Sequence, residues 1–306
     1  MQLLGYAEKA NPSNERKIPM SNYQIITDSG CDLPLSMRQQ LNIQMVSLTL
    51  RFREEELQDS VSDEIRSFYE SLRAGEMAST AAVNPDGWER VMEPVLEAGQ
   101  DALVLTFSSG LSTTYQSAVI AAEELKEKYP QRQVRVVDTR CASLGQGLLL
   151  WYACRKRDEG MELEELVAWV ENTKENLCQW FTVDDLMYLK RGGRVSAATA
   201  IVGTMLGIKP ILHVDEEGPL INVGKVRGRK ASIDTLAEKV GQLGLLGQND
   251  TVFICHGDCL EDAQRLETLL KEKHGVKEVF IGYTGAVIGS HSGPGTLAVF
   301  FLGEKR

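Results

Sequence analysis

The sequence predicts an α/β protein of two domains, the first built on a mainly parallel, helix-flanked sheet and the second on a mixed α/β sheet. Three observations carry that prediction. From residue 23 to residue 157, short apolar runs rich in β-formers alternate with stretches of helical spacing, as crossover-connected parallel strands require. Beyond residue 160, hairpin signals such as Glu216-Glu-Gly-Pro219 break into that alternation, which argues for antiparallel strands among the parallel ones. The length of 306 residues exceeds what a single core usually organises. The resulting division is a loosely held extension over residues 1–20, an N-terminal domain over 21–160 and a C-terminal domain over 161–306, broken at Asp158-Glu-Gly160.

Residues 23–27 form the first strand, which ends in Asp28-Ser-Gly-Cys-Asp32. Leu33-Pro34 then opens a helix, with Asp32 as its N-cap and Pro34 in its first turn. Residues 43–52 read as one extended segment, 62–73 as a helix starting near Ser62, and 77–85 as a small-residue extended link. Residues 86–97 are an amphipathic helix with Trp88, Val91, Met92, Val95 and Leu96 on its apolar side. The apolar run 102–107 is a buried strand, and 114–125 switches to helical spacing. Residues 133–137 are a strand ending in Asp138-Thr139, and 142–154 a long apolar helix whose Gly145 and Gly147 permit close packing.

In the second half, residues 163–179 read as a helix, 180–183 as a strand, 188–194 as a basic turn and 197–206 as an apolar helix. Residues 208–214 form a strand that Pro210 pushes toward an edge or a bulge, paired through the hairpin with 220–226. Helices over 232–243 and 262–274 and strands over 251–256, 279–283 and 296–302 complete the chain. Gly285-Ala-Val-Ile-Gly-Ser-His-Ser-Gly-Pro-Gly295 reads as a tightly turned loop presenting His291 and backbone amides.

Open parallel sheets bind ligands beyond the carboxyl ends of their strands. Thr27-Asp28-Ser29, Ser108-Ser109 and Asp138-Thr139 all fall there. The stretch Ser108-Ser-Gly-Leu-Ser-Thr113, which taken alone reads as Ser112 or Thr113 capping a helix, adds hydroxyls and a glycine at a helix entrance, and beside the other strand ends it becomes a place suited to a carboxylate or phosphate.

A formal net charge of −10 argues against nucleic acid or an anionic membrane surface as the main partner. No apolar run reaches the roughly 18 residues of a membrane span, so stable membrane insertion is not expected. Residues 1–20 lack a secretory pattern. The six cysteines are scattered, with Cys255 and Cys259 the one close pair, so reduced thiols in the cytoplasm are expected and a metal site is not. No cofactor motif is present.

Gly110-Leu-Ser112 sits at a strand–helix elbow with His291 downstream, as in a serine acyl hydrolase, but Thr114 replaces the second glycine of that elbow. Lys190, Arg191 and Arg194, with Lys225, Arg227, Arg229 and Lys230, make two basic clusters that read as solvated charge or as a docking face for an acidic partner.

Taken together, Thr27-Asp-Ser29 with Asp32-Leu33, residues 108–118, Val137-Asp-Thr-Arg-Cys-Ala-Ser-Leu-Gly145, Tyr188-Leu-Lys-Arg-Gly-Gly-Arg194, Gly207-Ile-Lys-Pro-Ile-Leu212, Lys225-Val-Arg-Gly228 and Ile288-Gly-Ser-His-Ser-Gly-Pro-Gly295 resemble the DegV family of bacterial fatty-acid-binding proteins. The resemblance implies a non-catalytic carrier that holds one long-chain fatty acid between its two domains. It implies a partner too, a fatty acid kinase that makes acyl phosphate for phospholipid synthesis. Carried over by residue, it assigns the carboxylate to Thr80, Ser112 and His291, and places Arg194 near the entrance or the kinase-facing surface, with Arg191 beside it. Ser29, Ser109, Thr113 and Gly293 are the further ligand-adjacent candidates. The chain departs from the family at Ala81, where a hydroxyl is usual, and at Thr113, where glycine follows the key serine. A carboxylate-binding protein without a kinase partner, or the hydrolase, is the alternative.

Overall fold

The computed structural model describes residues 22–59, 64–195 and 207–306; the extension 1–20, Ser62 and the apolar helix expected over 197–206 lie outside them. Four strands, β1 (Tyr23–Asp28), β2 (Gln44–Val46), β6 (Asp101–Thr106) and β7 (Val134–Asp138), form an all-parallel sheet in the order β2-β1-β6-β7. Their inner residues Ile25, Ile26, Leu103 and Val104 are fully buried, as expected of strands covered on both faces. A small antiparallel sheet joins β3 (Thr49–Phe52) to β4 (Glu55–Gln58) and β5 (Ala78–Ala81). The single extended segment expected over 43–52 is therefore two strands in two sheets, broken where Leu48 N donates to Ser29 Oγ at 3.0 Å.

The second large sheet has the order β10-β9-β8-β13-β11-β12, with β8 (Leu177–Thr182), β9 (Ile208–Val214), β10 (Leu220–Arg227), β11 (Thr251–His256), β12 (Glu278–Tyr283) and β13 (Leu297–Leu302). Only β11 and β12 run parallel, so the sheet is mixed. Pro210 lies in β9 beyond the two residues that pair with β8, where its missing N–H costs the ladder nothing, and the irregularity falls opposite, between Asn222 and Gly224 of β10.

Helices α1 (Leu35–Gln40), α2 (Ile65–Arg73), α3 (Pro85–Glu97), α4 (Thr114–Lys128), α5 (Leu144–Asp158) and α6 (Leu163–Lys174) precede β8; α7 (Leu186–Arg191), α8 (Arg229–Leu243), α9 (Leu260–His274) and α10 (Ala286–Ser292) follow it. The apolar side expected of α3 is observed, with Trp88 and Met92 fully buried. The core is continuous through α5, which packs on β6 and also on β8, β11 and β13. A Cβ at Gly145 would lie 2.5 Å from Gln179 Oε1 and one at Gly147 2.9 Å from Cys31 O, so the close packing expected of these glycines is real.

Four local expectations are corrected. Asp32 is no helix cap: it has φ 52° and ends a short 3₁₀ turn that Asp28 caps, while α1 starts after Pro34. The helix expected to run to 179 stops at Lys174, because Leu177 and Cys178 belong to the buried strand β8. The basic turn 188–194 is mostly helix α7, capped by Asp185. The glycine-rich loop 285–295 contains helix α10, and Gly289 is required there because Tyr69 Oη packs where a Cβ would stand.

Candidate functional site

The carboxyl ends of β1, β6 and β7 converge, and much of their polarity is consumed in fixing the loops. Asp28 Oδ2 accepts from Phe107 N at 2.7 Å and Oδ1 from Gly30 N at 3.0 Å, tying the end of β1 to the end of β6. Asp138 Oδ1 accepts from Ser109 N at 3.1 Å and Arg140 N at 3.0 Å, while Ser109 Oγ donates to Oδ2. Full burial pushes the Asp28 carboxyl up to about 7 against those lowering hydrogen bonds. The buried Asp59 rises to about 6 for the same reason, and Asp32, also facing the Asp59 charge, is raised well above the usual range.

In front of these loops lies a cavity of about 400 Å³, within the roughly 300–1,000 Å³ typical of ligand sites. Its body is apolar, walled by Phe107 and Leu111 from one side and Phe181 and Phe300 from the other. Thr80, Ser112 and His291 line it together. Thr80 projects from β5 and its Oγ1 is 2.8 Å from His291 Nε2, at the end of α10. Gly192 lets the imidazole sit there, since a Cβ would overlap Nδ1. Burial first, and the Arg194 charge second, lower the His291 pKa to about 4, so the ring is neutral at pH 7. Ser112 Oγ accepts from Thr114 N at 3.2 Å and contacts Thr114 Oγ1 at 2.8 Å. It therefore caps α4 and faces the cavity at once; Thr113, at the N-cap position, makes no side-chain cap.

The DegV family, described as one of uncharacterised proteins, matches residues 22–304. A DegV domain-containing protein of Clostridium perfringens is 45% identical over 289 residues, which span 94% of this chain and 99% of that protein. The chain belongs to the DegV family. Among solved structures, a DegV family protein from Thermus thermophilus described as binding fatty acid is 30% identical, with a TM-score of 0.82 over 92% of this chain and 99% of the other. DegV of Bacillus subtilis, described as a fatty acid binding protein, is 29% identical with a TM-score of 0.79, over 93% and 100% of the two chains.

Of the further candidates, this DegV protein places Ser109 and Thr113 on the cavity wall. Ser29 is not there: its hydroxyl is held by Leu48 N behind the wall. Gly293 is also outside, with Tyr188 packed where its Cβ would be, 2.5 Å away. Arg191 is exposed, its guanidinium 4.6 Å from the Tyr188 ring centre. Arg194 is half-buried rather than aimed outward; its Nε donates to Leu111 O at 3.2 Å and its side chain borders the cavity. Burial lowers its pKa. Sequence reasoning missed Gln179 and Phe181, which the period of two along β8 turns toward the cavity, and the hydroxyls of Ser143, Thr284 and Ser292.

The hydrolase arrangement is not formed. Ser112 bonds Thr114, His291 bonds Thr80, and an imidazole titrating near 4 is a weak base at neutral pH. Among the described residues no group of three or more His, Cys, Asp or Glu is placed to hold a metal, and no helix is long and apolar enough to cross a membrane.

Proposed function

We propose that this chain is a non-catalytic carrier that binds one long-chain fatty acid and presents its carboxylate to a fatty acid kinase for acyl-phosphate formation. The observation that carries the binding reading is a single apolar cavity with Thr80, Ser112 and His291 on its wall and Arg194 at its border. Each methylene buried in such a cavity contributes about 0.8 kcal/mol. The hydroxyls, a neutral imidazole and the nearby guanidinium satisfy the buried head group. The structural relatives described as fatty-acid-binding support this reading. The kinase, the two units 21–160 and 161–306 closing on the ligand, and a cytoplasmic site of action belong to the proposal as well. The cytoplasm is consistent with six free cysteines.

The test is calorimetric titration of delipidated protein with stearic acid, in wild type and in Ser112→Ala and His291→Ala. One hydrogen bond to a charged group is worth roughly 1.5–3 kcal/mol, so each variant should bind about ten- to a hundredfold more weakly while keeping its fold. Unchanged affinity in both would remove them from the head-group site. Absence of binding by the wild type would overturn the carrier reading.

A further inference from the structure

Besides Thr80, Ser112 and His291, the cavity wall carries further polar groups. Thr284 Oγ1 donates to Cys255 Sγ at 3.1 Å, Cys255 Sγ is 3.3 Å from Ser143 Oγ, and Ser143 Oγ donates to the buried Asp32 Oδ2. Thr284, Cys255 and Ser143 all line the cavity. Burial pushes the Cys255 thiol up to about 12, so it keeps its proton and links the two hydroxyls. Ser143 holds its place with φ 54° and ψ −143°, a conformation that disfavours any residue with a Cβ and persists where the surroundings impose it. Ser292, after His291 on α10, lines the same cavity, is 5% exposed, and its Oγ has no hydrogen-bond partner.

A purely hydrocarbon chain gives these groups nothing. Buried polar atoms are almost always paired, and an unpaired buried hydroxyl on a cavity wall calls for a partner that arrives with the ligand or as water. Ser292 supplies an unused donor, and Thr284 Oγ1 keeps acceptor lone pairs after donating to the thiol.

We propose that Ser292 and Thr284, backed by Cys255 and Ser143, form a subsite for an oxygen carried on the acyl chain, so that hydroxylated fatty acids are preferred over unsubstituted ones of equal length. The proposal rests on the reading that this cavity holds a fatty acid. A site that hydrogen-bonds a ligand hydroxyl discriminates against the analogue lacking it, because its own groups are then left unpaired.

The experiment is calorimetric titration of the delipidated full chain with stearic acid and with a positional series of monohydroxystearic acids. At least one position should bind about tenfold more tightly than stearic acid. The ratio should collapse toward one in Ser292→Ala and in Thr284→Val, the second variant covering a folding failure of the first. If no hydroxy acid binds more tightly than stearic acid, these hydroxyls hold only water and the proposal falls. If the preference survives in both variants, the subsite is elsewhere and the assignment is wrong. If stearic acid and the hydroxy acids all fail to bind, it is the fatty-acid reading of the cavity that fails.

Discussion

Asp28 ends one strand of the parallel sheet and Ser112 follows the neighbouring one, yet they serve different purposes. Asp28 is fully buried and gives both carboxylate oxygens to backbone donors of the loops, whereas Ser112 caps a helix and remains on the cavity wall. Polar residues gathered at strand ends are thus of two kinds. One kind shapes the loops that form the wall, and the other is left for a ligand. The distinction is decided by which backbone N–H groups lack another partner, and it predicts that damage to the first kind appears as lost stability and damage to the second as lost affinity.

The largest effect should come from Asp28→Ala. Two buried backbone donors, Phe107 N and Gly30 N, would lose their acceptor, at roughly 1–3 kcal/mol each. Chemical unfolding should show that loss. The same residue sets a pH dependence. Asp28 and Asp59 have folded pKa values raised to about 7 and about 6, so each binds its proton more tightly folded than unfolded. Their contribution is complete at acid pH, below the unfolded values, and is lost as pH rises through about 6 to 7. Unfolding free energy should therefore decline across that window, and Asp28→Asn, which does not titrate, should flatten the decline. A wild-type profile that rises from pH 5 to 8 would refute the assignment.

The intermediate effect belongs to Gly192→Ala. Its φ is ordinary, so the new methyl strains no backbone, but it would overlap His291 Nδ1 and displace the imidazole from Thr80. Fatty-acid affinity should fall about tenfold with little change in stability, and calorimetry beside thermal melting separates the two. A variant that melts early but binds normally would make Gly192 a packing residue only.

Gly192 also marks where the sequence stops being legible. The strands 23–27, 102–107 and 251–256 and the helix from 114 announce themselves by period and β-branched content, and they are found within a residue or so of their expected starts. So is the meeting of Thr80, Ser112 and His291, three residues that lie far apart in the chain and that the family resemblance brought together. The failures are non-local. Helix α10 holds one glycine and is flanked by Gly285, Gly293 and Gly295, so it reads as a loop; the need for Gly289 to admit Tyr69 from α2 is written 220 residues earlier, at position 69. Asp32 looks like a cap because its true partner, Ser143, is distant in sequence. Arg194 follows two glycines that allow either direction, and its hydrogen bonds to the distant Leu111 O and to Gly192 O hold it against the cavity.

The smallest effect on the protein alone, and the sharpest test of the docking part of the proposal, should come from Arg191→Glu. Arg191 is exposed and stacks on Tyr188, a contact worth about 0.5–1 kcal/mol at a surface, so stability should barely move. It lies outside the cavity wall that Arg194 borders, so bound lipid should be unaffected. A rim charge acts mainly on the encounter rate with a partner of opposite sign, and its reach at physiological salt is about 8 Å. Acyl-phosphate formation with the cognate kinase should therefore slow in Arg191→Glu at low salt, and the gap to wild type should close as salt is raised. Arg194→Gln, by contrast, should weaken lipid binding at every salt concentration, because that guanidinium is half-buried beside His291. If Arg191→Glu turns over normally at low salt, the kinase docks elsewhere, and Lys225 with Arg227 on the exposed side of β10 becomes the next face to reverse.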